Sequence, residues 1–346
     1  MKAVILVGGY GTRLRPLTLN TPKSIVPVVN IPFLLYQIEL LKKHGVKNIV
    51  LSLCYKPDRI RRIFGSGRAF GVNIEYSIED RPLGTCGAAK KAGKYFDDFP
   101  VVVLNGDVLT DFDLDRLYDY HKKTASLITL ALYRVPDPSQ FGLVLTDKKG
   151  RISRFLEKPA ESEITTNAIN AGIYLIEKRI FDMVPAGVNY SFERQLFQEV
   201  LAAHLPFYAV PLEGYWLDIG SPAKYFKANR DILENKVNIP EPLKKNILKQ
   251  EMKGGQVCHR GAGVKCAPGV RFHENAVIGH GTTIKKDVSV TNSIIWDKCL
   301  IESGARVTSS IIGSGCVIGK SAAISHAVLG DGSVIADHSR IEGSFE

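Results

Sequence analysis

The chain has 346 residues, 45% of them hydrophobic and 23% charged, which is enough to bury more than one core and excludes a disordered or collagen-like chain. Lys and Arg number 45 against 35 Asp and Glu, a net charge of +10. No window approaches about 18 uninterrupted apolar residues, so no membrane partner is expected. The first 100 residues hold 16 basic and 7 acidic side chains, nine of the ten surplus charges, and should face an anion. The bases are not interleaved with aromatics as in a stacking surface, so small-molecule phosphates are expected and nucleic acid is not. For Lys56, Arg59, Arg61, Arg62 and Arg68 the alternative is a solvated basic face. Six cysteines lack metal-ligand spacing and are read as reduced, buried thiols of a cytoplasmic protein.

The apolar run Ala3–Val7 is too short for a signal peptide, ends in glycines and is read as a first strand. A helix pattern follows near Pro32–His44, then a strand at Asn48–Leu53, a helix at Pro57–Phe64 and a strand at Val101–Leu104. This alternation predicts a parallel sheet with crossover helices, which binds ligands beyond the carboxyl ends of its strands. Gly8 to Gly11 and Asn105 to Asp107 fall at such ends. Further strands are expected at Ile128–Arg134, Gly142–Thr146 and Ala171–Ile176. Ser221 as N-cap, with Pro222 at the first helical position, opens a helix running to about Asn235. The Pro- and Lys-bearing stretch 237–256 reads as a linker between domains at 1–236 and 257–346.

From Val264 and Val270 onward, aliphatic residues recur mostly at spacings of five and six. Each 5, 6, 6 triplet makes a 17-residue repeat, seen in Ile284, Ile301, Ile318 and Ile335 and again in Val290, Val307, Ile324 and Ile341. Three faces per coil, each with one inward aliphatic, describe a triangular β-solenoid of about four to five coils. Its exposed coil edges favour pairing, so a homo-oligomer through this region is expected.

The string Gly8-Gly9-Tyr10-Gly11-Thr12-Arg13-Leu14-Arg15-Pro16-Leu17-Thr18 follows the first strand, with Pro22-Lys23 soon after. Glycines let backbone N–H groups approach an anion, and Arg13 and Lys23 supply the charge that phosphoryl chemistry needs. It is neither G-x-x-x-x-G-K-[ST] nor G-x-G-x-x-G, so it predicts neither a P-loop ATPase nor a dinucleotide dehydrogenase. By residue type alone, the lesser alternatives are Asp107 as a loop cap, Asp218 as an ion-pair partner, and Glu157 and Asn170 as turn caps.

The full string closely resembles the signature of the sugar-1-phosphate nucleotidyltransferases. The resemblance continues in order through Pro82-Leu83-Gly84-Thr85, Asn105-Gly106-Asp107, Phe141-Gly142, Glu157-Lys158-Pro159, Asn170-Ala171-Gly172, Trp216-Leu217-Asp218-Ile219-Gly220 and the repeats. It is most similar to the mannose-1-phosphate guanylyltransferase branch, which implies an α/β fold: a Rossmann-like domain with a mixed, mainly parallel sheet, then a short left-handed β-helix of hexapeptide repeats. In that family an oxygen of the sugar 1-phosphate attacks the α-phosphorus of a nucleoside triphosphate in line. The resemblance implies Mg²⁺ held at Asp107 and Asp218, which suits a cation that takes one or two carboxylates plus phosphate oxygens. It also implies a catalytic set of Arg13, Lys23, Asp107 and Asp218, with Arg13 on the β- and γ-phosphates. Gly8, Gly9, Gly11, Thr12, Gly84 and Thr85 would bind the nucleotide. Gly142, Glu157, Lys158 and Asn170 would bind the sugar phosphate, with Lys23 and Lys158 bracketing the reacting phosphates.

Base choice turns on Glu79, which stands where pyrimidine-using relatives carry Gln. A carboxylate offers only acceptors and matches the adjacent N1–H and N2–H₂ donors of guanine. GTP and mannose 1-phosphate are therefore the expected substrates, with a glucose-1-phosphate thymidylyl- or uridylyltransferase as the alternative. Cys86, where the branch has a small Ala, and Ile31, where Lys commonly precedes the proline, depart from the pattern. A silent regulatory paralogue would have lost phosphate and metal ligands, yet Arg13, Lys23, Asp107, Lys158 and Asp218 all stand. An acyltransferase role for the repeats is disfavoured, because His273, His280, His326 and His338 lack a catalytic context.

Overall fold

A computed structural model describes residues 1–247 and 258–345, which gather into two compact units. The first unit comprises residues 1–9 and 37–216; the second comprises 10–36 and the described residues from Leu217 onward. The glycine-bearing segment 10–36 packs with the C-terminal part of the chain.

The first unit holds a nine-stranded mixed sheet. Its strands in chain order are β1 Lys2–Leu6, β2 Asn48–Leu53, β3 Asn73–Ile78, β4 Val101–Asn105, β5 Ile128–Arg134, β6 Gly142–Thr146, β7 Ile152–Glu157, β8 Ala168–Ile176 and β9 Phe207–Pro211. The spatial order runs β7-β6-β8-β4-β1-β2-β3, with β5 on β8 and β9 on β5. The four strands β4, β1, β2 and β3 are parallel, as the strand-helix alternation predicts. The central residues of β1, Ala3, Val4 and Ile5, are fully buried, as expected for a strand covered on both faces. Strands β3, β7 and β9 lie outside the sequence expectation. In β3 only Ile74 and Ser77 of Asn73–Ile78 are buried, so its pattern is that of an edge strand with weak periodicity. Helices α1 Phe33–Lys43, α2 Pro57–Phe64, α3 Gly84–Ala92 and α4 Leu114–Lys123 include the two expected from periodicity. On the far side, Phe155, Tyr174, Phe192, Phe197 and Phe207 form the aromatic heart of the core.

In the second unit the predicted repeat is realised as stacked parallel strands. Ile284, Ile301, Ile318 and Ile335 sit in register in one column, and Val290, Val307, Ile324 and Ile341 in another. Ile278, Ile295, Ile312 and Leu329 make the third. The first coil is one residue longer than the rest, with a bulge between His273 and Ala276. Cys266 and Phe272 therefore lie beneath Ile284 and Val290, and the expected aliphatics Val264 and Val270 pack against the coil core beside them. Helix α5 Pro222–Leu233 starts as predicted, with the Ser221 side chain accepting from the Lys224 N–H at 3.4 Å. Part of the expected linker is the short helix α6 Glu241–Ile247, and its residues 248–256 lie outside the described residues. Cys86, Cys258, Cys299 and Cys316 are buried thiols, whereas Cys54 is half-buried and Cys266 exposed, because Cys266 ends the outermost coil of the stack.

Candidate active site

In the first unit, the ends of β1, β2 and β4 come level, since Leu6 pairs with both Ser52 and Asn105. Gly106 follows and donates its N–H to Leu6 O at 3.0 Å. A Cβ at Gly106 would lie 2.4 Å from Val7 Cγ1, so only glycine lets the turn after β4 close against the end of β1. That turn sets Asp107, half-buried, at the carboxyl ends of the parallel strands beside Gly8 and Gly9.

Glu79 lies just beneath Gly8, where an added Cβ would be 3.2 Å from Oε1. Its side chain is 6% exposed, and both oxygens already accept protein hydrogen bonds. Oε1 takes one from Ser52 Oγ at 3.1 Å and Oε2 one from the Leu83 N–H at 2.9 Å. Burial raises its pKa, opposed by those two hydrogen bonds and by Lys91. Glu79 thus fixes the start of α3, the helix that carries Gly84 and Thr85. Thr85 in turn donates from Oγ1 to Glu193 at 3.0 Å and accepts from the Phe192 N–H at 2.9 Å.

The residues expected at the sugar form a connected set. Gly142 faces Glu157 across β6 and β7, and an added Cβ there would be 3.0 Å from Glu157 Oε2. Lys158 follows Glu157 in the left-handed region, exposed, with its N–H on Phe141 O at 3.2 Å. Asn170 donates from Nδ2 to Tyr174 OH at 2.9 Å, and that hydroxyl donates to Glu193 Oε1 at 3.2 Å. Burial raises the Glu157 pKa, and the Glu193 charge adds to the shift against Lys158 and Arg194. Glu193 therefore joins the sugar-side residues to Thr85. Sequence reasoning passed over Glu193, Tyr174 and Ser52; the available signal was Ser191, whose side chain caps the turn by accepting from the Glu193 and Arg194 N–H groups.

In the second unit, Gly11 adopts φ 63° and its Cα side packs on Thr18, whose Oγ1 donates to Gly11 O at 2.7 Å. Leu14 and Leu17 are fully buried beneath, which leaves Thr12 and Arg13 on the exposed side. Lys23 backs onto the same turn, 3.0 Å from where a Gly11 Cβ would stand. Arg13 and Asp218 meet around Gly220: a Cβ there would be 2.7 Å from Asp218 Oδ2 and 3.2 Å from Arg13 Nη2. Asp218 Oδ1 also pairs with Lys224 Nζ at 2.5 Å. Lys224, on the first turn of α5, carries no motif and was not foreseen. The two aspartates thus fall in different units, Asp107 in the first and Asp218 in the second.

Residues 2–235 match the family model described as Nucleotidyl transferase, and residues 254–345 match the GMPPB C-terminal domain. Mannose-1-phosphate guanylyltransferase of Mycobacterium tuberculosis is 38% identical over 297 residues, covering 85% of this chain and 79% of that protein. Mannose-1-phosphate guanyltransferase of Debaryomyces hansenii is 40% identical over 262 residues, 74% of this chain and 71% of the relative. Among solved structures, HddC from Yersinia pseudotuberculosis complexed with GMP-PN is similar with a TM-score of 0.58 and 31% identity, over 67% of this chain and 99% of that one.

Proposed function

Since this chain belongs to the nucleotidyl transferase family, with a mixed α/β sheet followed by a short left-handed β-helix, we propose that it transfers the guanylyl group of GTP to mannose 1-phosphate, giving GDP-mannose and pyrophosphate. The grouping of Arg13, Asp218 and Lys224 around Gly220 carries this assignment. A cation and a carboxylate held beside a glycine-rich turn suit a metal-bound triphosphate better than any apolar ligand.

An oxygen of the sugar phosphate bonds to the α-phosphorus as the bond to the β-phosphate oxygen breaks, and pyrophosphate leaves with that electron pair. The nucleophile is already ionised near neutral pH, so no protein base is required. Gly8, Gly9, Gly11 and Thr12 offer the backbone cradle, and Arg13 holds the β- and γ-phosphates and meets the charge developing on pyrophosphate. Lys23 and Lys158 screen the two anionic substrates from each other. Gly84 and Thr85 border the base, and Gly142, Glu157 and Asn170 orient the sugar. Each Glu79 oxygen accepts one protein hydrogen bond and keeps a lone pair for a guanine donor.

Asp107 and Asp218 each offer hard carboxylate oxygens, the donor type that Mg²⁺ takes together with phosphate oxygens. Held by these carboxylates, Mg²⁺ would act as a Lewis acid that neutralises phosphate charge. Residues 1–236 are taken as the catalytic part and 257–346 as the β-helix, through which a cytoplasmic homo-oligomer forms. Among the described residues no helix is long and apolar enough to cross a membrane.

Pyrophosphate release from four nucleoside triphosphates against several hexose 1-phosphates tests the assignment. The expected optimum is GTP with mannose 1-phosphate. A preference for UTP or dTTP with glucose 1-phosphate would select the alternative, and no turnover with any pair would leave a binding protein.

A further inference from the structure

The segment that carries Arg13 and Lys23 is short of regular structure, and its fixed points are on the coil. After Lys23 the chain makes a small hairpin, Pro27–Val28 paired with Ile31–Pro32. Its two turn residues, Val29 at φ 47° and Asn30 at φ 61°, are both in the left-handed region. Asn-Gly suits such a turn, whereas a β-branched valine there is strained and persists only where the surroundings impose it.

The surroundings are α5 and the coil. The Val29 N–H donates to Asn229 Oδ1 at 2.7 Å, and Asn30 Nδ2 donates to the carbonyl of Ile278 at 2.8 Å. Tyr225, fully buried on α5, donates its hydroxyl proton to Pro27 O and accepts from Trp296 Nε1 at 2.9 Å. Trp296 stands at the end of the second coil, 2% exposed. At the other end of the segment, Pro16 rests on Gly330: a Cβ at that glycine would lie 3.1 Å from Pro16 Cβ. The segment is clamped on both sides of Lys23, at one end by a single glycine of the coil.

We propose that the β-helix is a positioning element of the phosphate-binding segment, in which Gly330 sets the stand-off of Pro16 and hence of Arg13, and the Trp296–Tyr225 pair fixes the hairpin beyond Lys23. The proposal rests on the reading of Arg13 and Lys23 as phosphate ligands. A side chain at position 330 would push Pro16 outward, and misplacement of a charged group by about 1 Å is enough to lose about a hundredfold in rate.

The test uses the full chain with Gly330→Leu and Trp296→Phe, the latter keeping a ring but removing the N–H. Amide hydrogen exchange is followed at residues 11–30, on the sheet of the first unit and on the coil, alongside kcat and KM for each substrate. Expected are faster exchange at 11–30 in both variants with the sheet unchanged, and a raised KM for GTP with a lowered kcat, the larger effect in Gly330→Leu. Should Gly330→Leu also expose the coil to exchange, Trp296→Phe decides. Wild-type exchange at 11–30 in Trp296→Phe with an intact coil would overturn the proposal. If the wild-type protein turned over no nucleotide, the functional assignment would fail, while the exchange data would still judge the clamp.

Discussion

The coil and the nine-stranded sheet solve the problem of placing a side chain in opposite ways. In the coil, position within a 17-residue repeat decides everything: Ile284, Ile301 and Ile318 are stacked in one column and all are essentially unexposed. In the sheet unit each site residue is held by a contact that occurs once. Asp107 depends on Gly106 closing against Val7, and Glu79 on Ser52 and the Leu83 N–H. Repetition gives successive coils the same buried column, whereas the candidate site residues are held by contacts that do not repeat. Substitutions in the two regions should therefore fail in different currencies, turnover in one and stability in the other.

The largest effect is expected at the carboxylates. Asp107→Ala and Asp218→Ala should each lower kcat by about a thousandfold or more, since charge stabilisation at the transferring group is lost. Their thermal unfolding midpoints should stay close to wild type. Near-wild-type turnover of either with Mg²⁺ present would remove that residue from the metal site.

Ile301→Asp should do the reverse, destabilising the coil by about 3–5 kcal/mol because a charge is buried without a partner. Ile335, in the same column but only half-buried at the last coil, provides the control. Urea unfolding of Ile335→Asp should show a loss of about 1 kcal/mol or less, as for partly exposed sites. Equal losses at both positions would mean that the column does not act as a graded core.

Glu79→Gln sharpens the comparison inside the sheet unit. If the Glu79 carboxylate reads guanine, its loss should lower kcat/KM for GTP relative to UTP by about ten- to a hundredfold. Because Glu79 also anchors Leu83, KM for both nucleotides should rise somewhat. An unchanged GTP-to-UTP ratio would reduce Glu79 to a scaffold residue.

The smallest effect concerns pH. The folded protein holds a proton on Glu157 more tightly than the unfolded chain does, because burial and Glu193 raise its pKa above the ordinary 4.5. Its contribution to stability therefore falls as pH rises from about 4.5 through the raised value, where the folded state binds the extra proton. Glu157→Gln should flatten the stability-pH curve in that window, read from urea midpoints; an unaltered curve would show that Glu157 is not desolvated.

Much of this was legible in the chain. The parallel strands, the Ser221 cap and the coil columns follow from local periodicity, and Arg13, Lys23 and Asp218 were singled out by short strings, Gly8 to Thr18, Pro22-Lys23 and Trp216 to Gly220. Three things were not. The first coil departs from the pattern by one residue, which periodicity absorbs as an irregular spacing, so that Cys266 and Phe272 fall in the columns of Ile284 and Val290 while Val264 and Val270 pack on the coil core beside them. Glu193 and Lys224 matter through partners far away in sequence or through charge pairing, which spacing does not encode. The allegiance of residues 10–36 to the C-terminal unit depends on Asn229, Tyr225 and Gly330, each contributing one contact across some 200 residues or more.

The most direct test of nucleotidyl transfer follows the oxygens. Mannose 1-phosphate labelled with ¹⁸O at its three non-bridging phosphate oxygens is incubated with GTP, Mg²⁺ and the protein, and the products are weighed by mass spectrometry. Attack by the sugar phosphate on the α-phosphorus predicts GDP-mannose that retains every label and pyrophosphate that carries none. Label in pyrophosphate or in free phosphate, or consumption of GTP without a labelled nucleotide sugar, would contradict it.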